Sequence, residues 1–496
     1  MTTHAEPVGE SPVAKEFPEG LPVGDAWVEA PATEDVRFPY DGTFVAGAPI
    51  GDTALARHAV DAALAVRERV GRLPSHVRRG ALLATHEALA SRRADFERLL
   101  VLETGKPLVD CRVEVDRTLL TLLTAAEEVA RLHGETVPLD LLPSGEGLLG
   151  FWTRKPIGVV VGIAGFNYPL LLAAHKIAPS LAAGCPIIVK PAPQTPLATL
   201  WLVHLLREAL RAGGAPQAAV QLVTGGPEVG IALTTDRRIG AVSFTGSAAV
   251  GHQIARDAAS TKVLLELGSN AALVVAADAD LDAAADAVVR GGYYASGQAC
   301  ISVQRVIVVD SVRKEFVARL TERVAQVAVG DPRDPQTRVS ALIDKRSTER
   351  VRAWLAEAVE AGASLVAGGS VTDGVIEPAL LLDVDRALAV WDEEVFGPVV
   401  AVRSVPDLET AFDLVNDSRY GLHASVYTSA LDTAFAALDR LEVGGVVVNE
   451  VPGFRSDVMP YGGVKDSGAG REGPRFAIEE LTVTRMAVIR PTMKKP

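Results

Sequence analysis

Apolar side chains change their period along this chain, and the changes mark its parts. From Thr53 to about Glu128, Ala, Leu and Val recur at three- and four-residue spacing with Arg and Glu between them, as in VDAALAVRERV and RRGALLATHEALASRRADFERLL. That spacing predicts amphipathic helices packed on one side of a sheet. At Pro156 the texture shifts: IGVVVGIAG (157–165) is a β-branched run bounded by Pro and Gly, AHKIAPSLAAG reads as a helix, and CPIIVK (185–190) as a second strand. Strand, helix, strand is the unit of a parallel sheet, because parallel neighbours need a long crossover. The alternation continues with a helix near 195–212, strand 219–225, helix 227–234, strand 241–246, helix 248–258 and strand 262–268. This series predicts a doubly wound nucleotide-binding domain. After Gly268 a second α/β series begins with NAALVVAADAD, continues through a helix at 281–296 and strand 303–310, and extends to VGGVVVNE (443–450). Two segments fit neither series: 135–156 reads as a hairpin around Pro143-Ser144-Gly145, and 479–489 as a strand with no helix after it.

The expected organisation is therefore α/β throughout. A flexible tail covers 1–20, a first α/β domain 21–134 and 157–267, a second 268–456, a return segment to the first 457–478, and a small β arm 135–156 and 479–496. With 496 residues, 48% hydrophobic and 22% charged, the chain can bury two or three cores. Its formal charge of −13 and the lack of a Lys/Arg-rich run argue against nucleic acid as a partner. Three cysteines, at 111, 185 and 300, do not make a disulfide framework, and reduced thiols suit a cytoplasm. The first twenty residues carry Glu6, Glu10, Glu16 and Glu19 with no apolar core, and no stretch reaches the ~20 apolar residues that span a bilayer. A soluble cytoplasmic protein with no membrane partner is expected. No metal is expected either, since the nine histidines show no ligand spacing.

Candidate chemistry centres on Ser296-Gly297-Gln298-Ala299-Cys300-Ile301-Ser302, which places a thiol among small and polar residues after a helix. Glu266 lies 34 residues upstream (300 − 266) and could serve as a base, and Asn167 in Gly165-Phe166-Asn167-Tyr168-Pro169 supplies an amide donor of the kind an oxyanion needs. One thiol, one carboxylate and one amide suggest acyl chemistry. Cys111 on a helix and Cys185 at the start of an apolar strand read as packing positions. Lys190 ends a strand at the edge where open α/β sheets bind ligands. Gly246-Ser247 opens a helix whose N–H groups can face a pyrophosphate, though the segment through Gly251 lacks the Lys-Ser/Thr of a P-loop.

Eight runs together carry a resemblance to the aldehyde dehydrogenase superfamily over about 35–489: ETGKP (103–107), GFNYP (165–169), VKPAP (189–193), FTGS (244–247), LELGSN (265–270), GQAC (297–300), EEVFGPV (393–399) and PYGGVKDSG (460–468). The resemblance implies a Rossmann-like NAD(P)-binding domain, an α/β catalytic domain, and a β arm for oligomerisation into a homodimer or homotetramer. It implies that Cys300 is the nucleophile, that Glu266 activates water to hydrolyse the thioester, and that Asn167 holds the oxyanion. For the cofactor it implies Lys190 at the adenosine ribose, Gly246 and Ser247 at the pyrophosphate, and Glu394 at the nicotinamide ribose, with Phe396, Phe166 and Gly268 completing the set. At Pro193, strongly NAD-preferring relatives often carry a ribose-binding Glu. NAD with NADP tolerated is the resulting expectation. Phe166 and PGFRSDVMPYGGVKDSG (452–468) resemble the branch handling lactaldehyde, glyceraldehyde phosphate, succinate semialdehyde and phosphonoacetaldehyde. Enzymes of that branch for dianionic aldehydes often have Arg before the nucleophile, where this chain has Ala299, so a small neutral or singly charged aldehyde is expected. Arg112, Arg117, His175 and Arg455 are the cations that could orient an acid group. The alternatives are a coenzyme A-acylating enzyme, disfavoured by Glu266, and a catalytically silent structural or binding relative.

Overall fold

The structure, a computed structural model, describes residues 17–491; residues 1–16 of the expected tail and 492–496 of the expected arm lie outside the described residues. The predicted helical run is four helices: α1 (Thr53–Gly71), α2 (Ser75–Ala90), α3 (Arg93–Thr104) and α4 (Leu108–Glu128). Asp52 starts α1 by accepting from the N–H groups of Ala54 and Leu55 at 2.9 and 2.8 Å, and Gly105, at φ 70°, ends α3 in the left-handed turn that glycine adopts without strain. Two antiparallel hairpins precede them, Leu21–Val23 with Ala26–Val28 and Ala32–Arg37 with Phe44–Ile50. The hydrophobic pattern does not predict these.

The first sheet runs in the order Gly468–Ala469, Lys262–Glu266, Ala241–Thr245, Val160–Ile163, Ile187–Lys190, Val220–Leu222. All neighbours are parallel except the Gly468–Ala469 edge. Its crossovers are α5 (Pro169–Ala183), α6 (Leu197–Ala212), α7 (Pro227–Thr234) and α8 (Ala248–Asp257). Strand order reverses between Val160–Ile163 and Ala241–Thr245, which opens a crevice at their carboxyl ends. The β-branched runs are longer than the strands they contain because their flanking residues already belong to loops, and Gly165, at the carboxyl end of Val160–Ile163, belongs to one that lines this crevice.

The second sheet has seven strands in the order Ser364–Ala367, Ala379–Leu382, Val399–Val405, Arg305–Val309, Ala272–Val275, His423–Tyr427, Gly445–Val448. Only the Ser364–Ala367 edge is antiparallel. Its first crossover helix, α9, spans Leu281–Tyr293 and stops short of the predicted residue 296, because Ala295 and Ser296 turn left-handed at φ 48° and 56°. A third, antiparallel sheet joins Glu135–Val137, Leu149–Pro156 and Thr482–Ile489. The last of these begins later than the predicted 479, since Pro474–Glu480 is helical. Among the described residues no helix is long and apolar enough to cross a membrane, and no group of three His, Cys, Asp or Glu side chains could hold a metal.

Candidate functional site

A cavity of about 520 Å³ lies where the crevice of the first sheet meets loops of the second, and Asn167, Glu266, Cys300, Glu394, Phe396, Arg455 and Tyr461 are among its lining. The approach to Cys300 is built from three successive left-handed residues, Ala295, Ser296 and Gly297. For non-glycine residues such a backbone costs about 1–2 kcal/mol each, so other contacts must hold it. Asp110 accepts from the Ala295 N–H at 2.9 Å, the Ser296 hydroxyl accepts from Ser340 N–H at 2.9 Å, and Gln298 accepts from Ile343 N–H at 3.0 Å. At Gly297 a side chain would reach to 2.1 Å from the Gly397 carbonyl oxygen, which makes glycine obligatory there.

Cys300 Sγ is 3.2 Å from Tyr461 Oη. Burial pushes the thiol up to about 11, with the Tyr461 contact and Arg455 pulling down and Glu394 and Glu266 pushing further up. Glu266 ends its strand in the cavity wall, and its Oε2 has no hydrogen-bond partner among the described residues. Burial, then the neighbouring Glu472, raises its carboxyl well above the usual range. Burial works against ionisation of Glu472 too, but there Lys176, His175 and Arg455 win and hold the carboxyl well below that range. The two carboxyls are thus pushed in opposite directions, Glu266 towards holding its proton and Glu472 towards losing it.

The Asn167 side-chain amide donates to the Gln298 carbonyl at 2.8 Å, which leaves its second N–H to bond elsewhere, and the backbone carbonyl of Asn167 accepts from Lys106 Nζ at 2.8 Å. Lys106 is ion-paired with Glu114 and sits 3.6 Å over the Tyr168 ring. Glu114 also accepts from the N–H groups of Leu170 and Leu171, at 2.9 and 3.2 Å, in the first turn of α5. A buried ion pair therefore ties the Asn167 turn to α4 and α5.

Across the cavity Glu394 accepts from Ser269 N–H at 3.1 Å, and burial lifts its carboxyl to about 7 against that bond. A side chain at Gly268 would come within 2.5 Å of Glu394 Oε2. Phe396 meets Phe166 edge-on with ring centroids 5.6 Å apart. Ser247 begins α8 without using its hydroxyl as a cap, and with Gly246 it lines the same cavity. These residues fit a dinucleotide: an open helix N-terminus for phosphate, a carboxyl for hydroxyls and a glycine floor that lets a ring approach. Lys190 ends its strand away from this lining, lowered to about 8 by burial with Glu228 opposing. Pro193 lies elsewhere again, beside a cavity of about 140 Å³ shared with Asp35, Arg37 and Gln194.

Of the four candidate substrate cations, Arg117, His175 and Arg455 line the cavity. Arg117 forks onto Asp457 at 3.0 and 2.8 Å, His175 Nε2 lies 2.9 Å from the same carboxylate, and Arg455 lies 3.1 Å from Glu472. Arg112 does not join them: it is exposed and faces Glu97 at 3.5 Å. Tyr461 lines the cavity, and Asp457, Glu472 and Lys176 pair with Arg117, His175, Arg455 and Thr245, which line it; none of the four was singled out by sequence. Asp457 and Tyr461 fall inside the PGFRSDVMPYGG run, and Lys176 is a charge inside the apolar α5, paired with Thr245 and Glu472 at 2.7 and 3.2 Å. A lysine in so apolar a helix needs a buried partner, which was the available signal.

A thiol, a carboxyl and an amide converging on one cavity suit attack on a carbonyl followed by acyl transfer. The chain is also similar to several known proteins. 3-Sulfolactaldehyde dehydrogenase from Priestia aryabhattai is 41% identical over 409 residues, covering 82% of this chain and 85% of that protein. Lactaldehyde dehydrogenase from Methanococcus aeolicus is 34% identical over 469 residues, covering 94% and 99%. The crystal structure of glyceraldehyde-3-phosphate dehydrogenase GapN from Methanocaldococcus jannaschii, complexed with NADP, matches with a TM-score of 0.89 at 33% identity, covering 93% of this chain and 100% of that one. The model of the aldehyde dehydrogenase family matches residues 27–487, and the chain belongs to that family, as an aldehyde dehydrogenase that works with a nicotinamide cofactor.

Proposed function

We propose that this enzyme oxidises a small polar aldehyde to its free carboxylic acid through a thiohemiacetal and then a thioester on Cys300. The convergence of Cys300, Asn167 and Glu266 on one cavity carries this reading. The Cys300 thiolate attacks the carbonyl carbon, and the oxygen that gains charge is held by the spare N–H of Asn167 and the backbone N–H of Cys300, one such donor being commonly worth ~3 kcal/mol in the transition state. Nicotinamide, when bound, accepts the hydride. Glu266 then takes a proton from water that attacks the thioester; its raised affinity for protons makes it an effective base once ionised, and Arg455 and Lys176 favour that ionised form. A carboxyl in that position supports hydrolysis over transfer to coenzyme A. The four groups Cys300, Glu266, Asn167 and Lys190 together also weigh against a silent scaffold.

Gly246, Ser247, Gly268, Glu394, Phe396 and Phe166 are proposed to hold the nicotinamide half and pyrophosphate, and Lys190 the adenosine ribose. NAD is the proposed cofactor with NADP tolerated, because Pro193 brings no carboxylate to repel a 2′-phosphate. The first sheet with α1–α8 is the proposed cofactor domain and the second sheet the catalytic domain. Exposed Val483, Met486, Val488 and Ile489 on the third sheet support its use in a homodimer or homotetramer.

Lactaldehyde, 3-sulfolactaldehyde and glyceraldehyde 3-phosphate are three-carbon aldehydes with a 2-hydroxyl, differing at the third carbon. Here Arg117, His175 and Arg455 already face Asp457 and Glu472, and Ala299 adds no cation beside the sulfur. A neutral or singly charged third carbon is therefore favoured over a dianion. Nicotinamide reduction with acetaldehyde, glycolaldehyde, lactaldehyde, succinate semialdehyde and phosphonoacetaldehyde tests this. Lactaldehyde or succinate semialdehyde should lead, and Arg117→Ala should raise KM selectively for the anionic one. A lead for phosphonoacetaldehyde would overturn the substrate assignment.

A further inference from the structure

We propose that Tyr461 is a further catalytic residue, whose phenol donates the hydrogen bond that holds the Cys300 thiolate. The proposal rests on Cys300 being the nucleophile.

The geometry is fixed from several sides. Tyr461 is 2% exposed, and its Oη lies 3.2 Å from Sγ. Its backbone is pinned by reciprocal bonds with Glu472, at 3.1 and 2.7 Å. The Arg455 guanidinium stacks 3.7 Å over the ring, and His423, anchored by Nδ1 to the Pro452 carbonyl at 3.0 Å, packs edge-on at 5.0 Å. With a neutral thiol either partner can donate. A thiolate keeps no proton, so once Cys300 ionises the only hydrogen left between the two atoms is the phenol's. The phenol can supply it, because burial pushes its own ionisation well above the usual tyrosine range.

The other groups acting on the sulfur do not replace this bond. Glu266 and Glu394 both raise the thiol, and Tyr294 lies near enough to sense the thiolate. Arg455 is the one cation among them and helps through space. Stacked on the ring, it also draws electron density from the phenol and strengthens it as a donor. In the step itself a sulfur lone pair forms the C–S bond, the carbonyl π pair moves onto oxygen, and the phenol keeps its proton throughout. As sulfur loses its charge the hydrogen bond weakens, so Tyr461 favours formation of the nucleophile more than retention of the adduct.

A hydrogen bond to a thiolate also blunts its nucleophilicity. With a Brønsted slope of about 0.4–0.5, a tenfold gain in thiolate leaves a net gain of about threefold in attack rate. The test reads both quantities on the full-length protein without aldehyde. The ultraviolet thiolate band of Cys300, taken as the difference from Cys300→Ala, is followed with pH alongside the rate of alkylation by iodoacetamide. Tyr461→Phe should lower the thiolate fraction about tenfold at a fixed pH below the midpoint, a shift of about one pH unit, and slow alkylation about threefold. Replacing Tyr461 with 3-fluorotyrosine, a more acidic phenol of nearly the same shape, should move both readings the opposite way. Unchanged thiolate titration in Tyr461→Phe, or shifts of the same sign in both variants, would overturn the proposal and leave Tyr461 as packing. Turnover surviving in Cys300→Ala would instead overturn the nucleophile assignment while the titration of Tyr461→Phe still reads on its own.

Discussion

Removing Glu114 should damage stability and catalysis by separable routes. Its side chain is fully buried, pairs with Lys106, itself 2% exposed, and receives the N–H groups of Leu170 and Leu171 at 2.9 and 3.2 Å. Glu114→Ala strands the Lys106 charge in the interior, which costs about 3–5 kcal/mol, and removes the bonds that open α5, about 1 kcal/mol more. The sum is roughly 4–6 kcal/mol. Unfolding entropy is about 2.1 cal/mol/K per residue, or roughly 1 kcal/mol/K for a chain of this length unfolding as one unit, so calorimetry should show Tm lowered by about 4–6 °C. The double variant Lys106→Met/Glu114→Leu removes both charges and should recover most of that loss. Its kcat should stay low all the same, because the Asn167 backbone carbonyl has lost its 2.8 Å donor and the side-chain amide proposed to hold the oxyanion has lost its fixed turn. A melting temperature of Glu114→Ala within about 1 °C of wild type, or a double variant no more stable than the single one, would refute this reasoning.

Two further outcomes bear on the cofactor. Glu394, lifted to about 7, is protonated below that pH and ionised above it. A carboxylate accepting ribose hydroxyls binds in the ionised form, so NAD affinity measured by calorimetric titration should weaken about tenfold from pH 8 to pH 6, and Glu394→Gln should be weak and flat across the range. Gly268→Ala places a methyl 2.5 Å from Glu394 Oε2, so it should raise KM for NAD while leaving the thiolate titration of Cys300 unmoved; an unaltered KM for NAD would remove Gly268 from the cofactor floor.

The helices α1–α4 were legible because each has a solvent face, and a solvent face writes a 3.6-residue period into the sequence. The parallel strands were legible as β-branched runs between Gly and Pro. The hairpin strand Ala32–Arg37 was not, since Val36 is its only buried residue and no alternation results. Nor was the end of α9, where Tyr294, Ala295 and Ser296 have no local reason to leave a helix and are turned by contacts with Asp110 and Ser340. In the site, Cys300, Glu266 and Asn167 announced themselves through their immediate neighbours. Arg112 misled because it lies five residues from Arg117 on α4, about 140° around the helix, so one side chain faces the cavity and the other solvent. The roles of Tyr461 and Asp457 depend on partners 161 and 340 residues away and could not be read locally.

The most direct measurement is mass spectrometry of the Cys300 peptide from Glu266→Gln, quenched after mixing with NAD and lactaldehyde. The variant should give a burst of about one reduced nicotinamide per subunit, a steady rate lowered about 10²–10⁴-fold, and a Cys300 peptide heavier by the acyl group. A burst with no mass on Cys300, or the acyl group on another residue, would contradict acyl transfer through this thiol and its release by Glu266.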